Sequence, residues 1–442
     1  MIRFIYNLLW PIGLLAILPQ YLVKMVRRGN YAPKFGQRFG IYSREVRARL
    51  ASSRPVWLHA VSVGEVNVAL KLAAAIRDLN PGMNFALTTT TTTGFAVANK
   101  RAPEWIEVLY SPLDFYPVIR AALRAFRPRQ LVLVEQEIWP NMVAETGAKG
   151  ISVSLVNARL SPRSEHRFLR FRRYVRPLLR QLALVCVQYP EDVARWEKLG
   201  VDPATIQMTG SIKYDHAATE SSCDQQRELL RELGVARDAP VLVAGSTHRG
   251  EEDIIARVWQ DLRQEFPNLF LVVAPRHTER AGAISQLLQK RGMNTSLRST
   301  SKAQPPTDAL IVDTTGELQK WYELATIVFI GKSLATRGGQ NPVEAINAGA
   351  PVIFGPHMEN FAALSRALVE ANGAVQINTE SELVSTIRDL LQNPGRRDDI
   401  VRSGRAVLHV HQGAAGRTAQ LLQNLPARHS AEPFAKSLAR LT

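Results

Sequence analysis

The chain has 442 residues, too many for one typical domain, and its 46% hydrophobic content is enough to fill two or three cores. Its two cysteines, Cys186 and Cys223, exclude a disulfide framework and a cysteine-based metal site, and they fit a reducing, cytosol-facing compartment. A formal net charge of +16 argues against a polycationic partner and points to a polyanion: nucleic acid, an anionic membrane or a phosphorylated substrate.

Residues 4–23 carry no charge and are mostly Leu, Ile, Trp, Tyr and Ala. Twenty such residues just span a bilayer core, although Pro11, Gly13 and Pro19 leave a kinked span or a surface-lying helix open. Lys24, Arg27, Arg28, Lys34 and Arg38 follow at once, which places the rest of the chain on the cytoplasmic side. A cleaved signal peptide fits less well, because the charge follows the apolar run and no small-residue cleavage site appears.

From Pro55 onward the pattern alternates. Strands are expected at 56–60, 84–90, 108–110, 130–135, 151–156 and 184–188, with helices at 65–79, 94–100, 117–126, 138–146 and 191–199 between them. A very basic helical stretch is expected over 163–184. Seven arginines there, from Arg163 to Arg180, interleave with Phe168, Leu169, Phe171, Tyr174, Val175 and Leu178. Such a stretch suits a membrane surface or lipid phosphates; nucleic acid is the runner-up, and the N-terminal apolar run favours the membrane. Residues 210–219 read as a change of domain. The pattern then restarts, with strands near 241–244, 269–274, 309–312, 327–330 and 352–354, each followed by a helical run. Repeated βα units imply parallel sheets covered on both faces, so the expected fold is α/β: two doubly wound Rossmann-like domains with a cleft between them, plus an N-terminal anchor. The expected divisions are an anchor at 1–28, domains at 29–210 and 211–425, and a weakly ordered tail at 426–442. Residues 299–307 read as a flexible loop.

Chemistry-bearing residues gather at strand ends. Trp57-Leu58-His59-Ala60-Val61-Ser62-Val63-Gly64-Glu65 runs from strand through a turn into a helix, and Glu65 there can take a proton from an attacking hydroxyl. Ser62-x-x-Glu65 is equally a capping box, which needs no catalytic role. Glu135-Gln136-Glu137-Ile138-Trp139-Pro140-Asn141 ends another strand of the same sheet. If that strand persists, Glu135 and Glu137 face opposite ways and only one serves. Lys213, in Gly210-Ser211-Ile212-Lys213-Tyr214-Asp215, lies at the expected hinge. In the second half, Ser246-Thr247-His248, Pro275-Arg276-His277 and Thr314-Thr315-Gly316-Glu317 end successive strands, and Arg276 suits a single phosphate. Gly331-Lys332-Ser333-Leu334-Ala335-Thr336-Arg337-Gly338-Gly339-Gln340-Asn341-Pro342-Val343-Glu344 joins a buried strand to a helix. Asn341 is the expected cap, Pro342 the first helical residue, and the free N–H groups of the helix start offer an anion site. His409 and His411 read as structural. No Asp-x-Asp motif argues for a metal-bound diphosphate, and no metal or cofactor is expected.

In combination these stretches resemble the 3-deoxy-D-manno-octulosonic acid (Kdo) transferases of lipopolysaccharide assembly. The resemblance covers nearly the whole chain. It runs from Lys34-Phe35-Gly36-Gln37-Arg38-Phe39-Gly40 through the Glu65 and Glu135 stretches, Asn157-Ala158-Arg159-Leu160-Ser161 and the Lys213 stretch. It continues to the strand ends above, Gly355-Pro356-His357 and Asn360-Phe361. It implies an inverting GT-B glycosyltransferase, anchored at the cytoplasmic face of the inner membrane, that moves Kdo from CMP-Kdo to the acylated, phosphorylated disaccharide precursor of lipid A. It also implies that Glu65 is the general base and that Glu135 and Lys213 stabilise the transition state. CMP would lie against Pro275, Arg276, Thr315, Gly316, Glu317, Asn341, Pro342, Val343 and Glu344. No nucleic acid partner is implied. Two positions depart from the family pattern: Lys332 stands where many relatives carry a second glycine, and Gln340 where some carry histidine. The rivals are a UDP-sugar transferase or epimerase, told apart by uridine preference, and a non-catalytic basic binding protein, indifferent to Glu65→Gln.

Overall fold

The computed structural model describes residues 3–11, 13, 34–160, 162–215, 222–300 and 306–425. Most of the apolar run at 4–23, its first basic residues and the tail at 426–442 lie outside these residues, as does the middle of the 299–307 loop. Among the described residues no helix is long and apolar enough to cross a membrane.

The chain divides into two units, Met1–Asp215 with His411–Thr442, and His216–Val410. Among the described residues the first holds seven strands: β1 (Val56–His59), β2 (Phe85–Thr89), β3 (Ile106–Tyr110), β4 (Gln130–Val134), β5 (Ser152–Ala158), β6 (Leu182–Val187) and β7 (Ile206–Met208). They pair in the order β3-β2-β1-β4-β5-β6-β7, all parallel. Alternation along each strand feeds two cores. Trp57, Leu131, Leu133, Val153 and Leu155 enter one, while Val56, Leu58, Val132, Val134 and Val156 enter the other. Both faces are dry, which is why the strands look uniformly apolar in sequence.

The second unit repeats the plan with β8 (Val241–Thr247), β9 (Phe270–Pro275), β10 (Thr295–Leu297), β11 (Ala309–Ile311), β12 (Ile327–Ile330), β13 (Val352–Phe354) and β14 (Val375–Gln376), in the order β10-β11-β9-β8-β12-β13-β14. All its pairs are parallel too. In the first sheet the strand order reverses once, between β1 and β4; in the second it reverses between β8 and β12, and β10 and β11 are also transposed at the far edge. Loops leaving such a pair diverge to opposite faces and open a crevice at the carboxyl ends.

Three strands escape the sequence pattern: β7, β10 and β14. Each is two or three residues long and lies at a sheet edge, and apart from the buried Ile206 their residues are half-exposed or exposed and carry no alternation. The basic stretch is two helices, Pro162–Arg170 and Arg172–Leu179, which break at Phe171. The boundary between units falls after Asp215 rather than Gly210, and the chain after Val410 returns to the first unit instead of staying in the second. The return has a physical cause. The helix Ala414–Gln423 sets Ala414, Ala419 and Leu422 into the core formed by Ala69, Leu72 and Ile76 of the helix Val63–Leu79. Polar bonds pin the junction: Ser211 N–H donates to His411 Nδ1 at 3.1 Å, and Gly413 and Ala415 N–H donate to the Asp215 carboxylate at 2.8 and 2.7 Å. His411 is buried, and burial pushes its imidazole down to about 4, so it stays neutral in this structural role.

The carboxyl end of β12 runs against β8 with no side chain between them. A Cβ on Gly331 would stand 2.4 Å from the Ser246 carbonyl oxygen and 2.6 Å from Thr247 Cα. Backbone cannot yield as a flexible side chain can. Gly331→Ala is therefore expected to destabilise the protein by about 1–3 kcal/mol, seen as a lower urea midpoint with an unaltered m-value; an unchanged midpoint would show that the two strands separate freely here.

Candidate active site

At the β1/β4 crevice the first unit gathers three carboxylates. Glu65 sits in the first turn of the helix Val63–Leu79. Ser62 Oγ–H donates to its Oε1 at 2.7 Å and Val61 N–H to its Oε2 at 2.8 Å, while Ser62 Oγ accepts from Glu65 N–H at 3.4 Å. This is the capping box expected from the sequence. The same bonds hold the carboxylate, only 7% exposed, in one orientation, so capping and positioning are one arrangement.

Beyond β4 the strand does not persist. Glu135 takes a left-handed conformation, φ 61°, which is unfavourable for a residue with a Cβ. Its N–H still bonds Val156 O at 2.9 Å, and the chain then turns, with Ile138 N–H donating to Gln136 O at 2.8 Å. Strand alternation is lost, so Glu135 and Glu137 do not face opposite ways: the charge of Glu65 reaches both. Burial first, and Glu65 second, raise the Glu135 carboxyl, against Arg159 and Lys213. The same two causes, with Glu135 adding, push Glu137 up to about 7, although Trp139 Nε1–H donates to its Oε2 at 2.9 Å. A carboxyl near neutrality is suited to exchanging a proton.

Two cations balance the acids. Lys213 stands on the turn after β7, where Ile212 N–H donates to Asn157 Oδ1 at 2.9 Å and His411 holds Ser211. Burial pulls the Lys213 ammonium below its ordinary value; Glu135 opposes this and Arg159 adds to it. Asn157 is fully buried with φ 51°, a conformation asparagine tolerates better than most residues. Glu65, Glu135 and Lys213 are thus brought together, and Glu137 and Arg159 join them. Alternation along an assumed strand hid Glu137. Arg159 was visible only within the Asn157–Ser161 motif, with no role to single it out.

In the second unit the candidate residues line the carboxyl ends of four strands. Pro275 ends β9, and Arg276 N–H donates to Thr247 O at 3.1 Å. Thr315 and Gly316, φ 89°, are exposed beyond β11. Glu317 is committed to Arg298 at 3.0 Å and to Gln226 at 3.3 Å, so it fixes its own loop. The helix after β12 is Val343–Ala348, one residue later than expected, with Pro342 as its cap residue. Asn341 still acts as a cap, because its Oδ1 accepts from Val343 N–H at 3.1 Å, and its amide reaches Glu344 at 3.5 Å.

Ahead of that helix start, where the sequence places its anion site, the first amides of the glycine-rich loop form a separate cradle. Glu251, fully buried at the start of the helix Glu251–Arg263, occupies it: Lys332 and His248 N–H donate to its Oε2 at 2.7 and 2.9 Å, and Ser333 and Leu334 N–H donate to its Oε1 at 2.9 and 3.1 Å. Four charge-assisted bonds satisfy one carboxylate. Ser333 then ties the loop to its neighbours, donating to Ile330 O at 2.5 Å and accepting from Gly355 N–H at 2.8 Å. Gln340 Nε2 and His248 Nε2 are 3.3 Å apart.

The acid cluster predicts a specific titration. Glu137 is expected to titrate near pH 7 by carboxyl-resolved NMR, and its midpoint to fall in Glu65→Gln, because the charge that raises it is removed. A midpoint indifferent to that substitution would separate the two groups.

The family model for 3-deoxy-D-manno-octulosonic-acid transferase (kdotransferase) matches residues 33–216. The 3-deoxy-D-manno-octulosonic acid transferase of Haemophilus influenzae is 31% identical over 428 residues, which cover 95% of this chain and 98% of that one. The enzyme of the same name from Bordetella pertussis is 33% identical over 399 residues, 88% of this chain and 90% of its own. Among solved structures, the UDP-GlcNAc 2-epimerase of Neisseria meningitidis bound to UDP-GlcNAc aligns with a TM-score of 0.57 at 12% identity, covering 84% of this chain and 100% of its own. That likeness speaks for the fold alone, two Rossmann-like domains of GT-B type. The relatives' identity and coverage carry the further step: the chain belongs to the Kdo transferases, glycosyltransferases of lipopolysaccharide biosynthesis.

Proposed function

We propose that the protein moves Kdo from CMP-Kdo to the tetraacyl disaccharide precursor of lipid A, with inversion at the anomeric carbon. The observation that carries this reading is the meeting of an oriented carboxylate, Glu65, with Glu135, Glu137 and Lys213 at the β1/β4 crevice. Glu65 takes the proton of the acceptor's primary hydroxyl as its oxygen bonds the anomeric carbon. The bond from that carbon to the phosphate oxygen breaks, and CMP leaves with the electron pair. Glu135 stabilises positive charge developing on the sugar, and Lys213 answers negative charge as it appears. Glu137 is the second candidate for the base, because its carboxyl is held near 7.

CMP lies against Pro275, Arg276, Thr315, Gly316, Glu317, Asn341, Pro342, Val343 and Glu344. Arg276 carries the linking phosphate, and Glu317 acts through its loop, given its pairing with Arg298. A single linking phosphate needs no second charge centre of the kind a diphosphate-bound metal supplies.

The reading also places the enzyme on the cytoplasmic face of the inner membrane, held by its N-terminal segment. Residues 3–11 are helical, with a polar side and an apolar side. Tyr6 O–H donates to Asp114 at 3.1 Å, Asn7 and Asn141 exchange amide bonds at 2.9 Å, Arg3 pairs with Glu145, and Trp10 stacks on Phe115 at 5.5 Å. Phe4, Ile5, Leu8 and Leu9 are 45–71% exposed on the other side. Phe171 and Tyr174, both 47% exposed among arginines, offer a second surface for an anionic lipid headgroup.

The test is CMP release from CMP-Kdo, with and without the lipid A precursor. Wild type is expected to release CMP only with acceptor, and folded Glu65→Gln to lose at least about a hundredfold in kcat. Release that survives in Glu65→Gln would move the base to Glu137 or Glu135; no release by wild type would end the transferase reading.

A further inference from the structure

Lys332 departs from its surroundings in three ways. It is a lysine in the left-handed region, φ 58°, at the carboxyl end of β12 and hence at the β8/β12 crevice. Its amide and the next two are bound to the carboxylate of Glu251, and its carbonyl accepts from Gly339 N–H at 2.8 Å, so its backbone is held on both sides. Its side chain runs back over Gly338: a Cβ there would stand 3.1 Å from Lys332 Cε and 3.2 Å from Nζ. No ion pair engages its ammonium among the described residues.

The other cations at these strand ends are differently employed. Arg280 is paired with Glu252 at 2.8 Å and Arg298 with Glu317 at 3.0 Å. Among the described residues Arg276 and Lys332 enter no ion pair. A sugar nucleotide of the class proposed above carries two anionic groups, the linking phosphate and the sugar carboxylate. One arginine answers one of them.

We propose that Lys332 is a ligand for an anionic group of the sugar-nucleotide donor, and that Glu251 is a positioning residue which forces Lys332 into the conformation that presents its ammonium. The inference rests on the donor site assigned above. The buried carboxylate acts as a permanent internal anion. It binds three consecutive amides in a nest, a geometry in which backbone amides turn toward one anion and a residue sits left-handed, as Lys332 does here. Its negative charge stays out of reach of the donor, while the lysine it orients is half-buried beside Gly338 and close enough to His248 for their charges to interact. A glycine would adopt this backbone more readily and contribute no charge.

The experiment measures calorimetric binding of CMP-Kdo and of CMP alone, with steady-state KM and kcat, for wild type, Lys332→Met, Lys332→Arg, Glu251→Gln and the double variant Lys332→Met/Glu251→Gln. Lys332→Met is expected to weaken CMP-Kdo binding about tenfold, the size of one lost charge-assisted bond, and to raise KM more than it lowers kcat. Lys332→Arg is expected to stay within about threefold of wild type. Glu251→Gln puts an amide donor where four amides need an acceptor, and is expected to weaken donor binding as well. In the double variant Glu251→Gln should add nothing to Lys332→Met, because it acts through that side chain. Weakening shared by CMP places the ammonium on the phosphate; weakening confined to CMP-Kdo places it on the sugar carboxylate. Unchanged affinities in Lys332→Met overturn the ligand assignment, even if Glu251→Gln does not fold. Additive losses in the double variant overturn the positioning role. Wild type that neither binds nor turns over CMP-Kdo defeats the transferase reading itself, whereas wild-type turnover with an unaltered Lys332→Met defeats this inference alone.

Discussion

Parallel strands all end on the same edge of a sheet, and from this the site arrangement follows. Because every strand pair in both sheets is parallel, each βα loop in a unit emerges at one rim. Because the order reverses between β1 and β4 and between β8 and β12, two adjacent loops at that rim run to opposite faces and leave room between them. In the first unit these are the loops after β1 and β4, which carry Glu65 and the Glu135–Trp139 turn. In the second they are the loops after β8 and β12, which carry His248–Glu251 and the glycine-rich run. The chemistry-bearing residues stand where the backbone leaves space, and the burial of both sheet faces keeps that space fixed.

Within each rim, neighbouring protein groups set the charge. Three carboxylates stand close in the first unit, and burial first, with the charge of Glu65 adding, displaces Glu135 and Glu137 upward. Lys213 and Arg159 offset part of it, and burial keeps the interaction strong by excluding water. In the second unit the balance is reversed. Glu251 satisfies the amides of the loop from inside, and the side chains of Arg276 and Lys332 stand at the same rim with no ion pair among the described residues.

Much of this was legible in the sequence. The long buried strands, their βα alternation and the motifs at their ends follow from apolar runs bounded by Gly, Pro and caps. Even the capping bonds of Ser62-x-x-Glu65 could be read there. What was not legible depended on tertiary context. The strand after Val134 stops because Glu135 enters a left-handed turn, which no local propensity announces, and Glu137 was discounted as a result. The sequence points to an anion site at the helix start after Asn341, but it does not show the cradle at Lys332–Leu334, whose anion, Glu251, is a side chain far earlier in the chain. Edge strands of two or three residues offer no periodicity to find. The return of the C-terminal helix to the first unit is a long-range packing choice, carried by small residues such as Ala414 and Ala419 that would suit many surfaces.

That return has a consequence for how the molecule is made. On the ribosome the helix Val63–Leu79 emerges before the segment that completes its core: Ala69, Leu72 and Ile76 share that core with Leu58, Phe85 and Val132, but also with Ala414, Ala419 and Leu422. That last part of the cover, Ala414–Gln423, is translated only after the whole His216–Val410 unit. The His216–Val410 unit is uninterrupted in sequence and can complete its core while the first unit still waits. During synthesis, therefore, the part of the chain that begins first is finished last. A nascent chain stalled before His411 would present an open apolar face to chaperones, and a fragment ending at Asp215 would keep one for good.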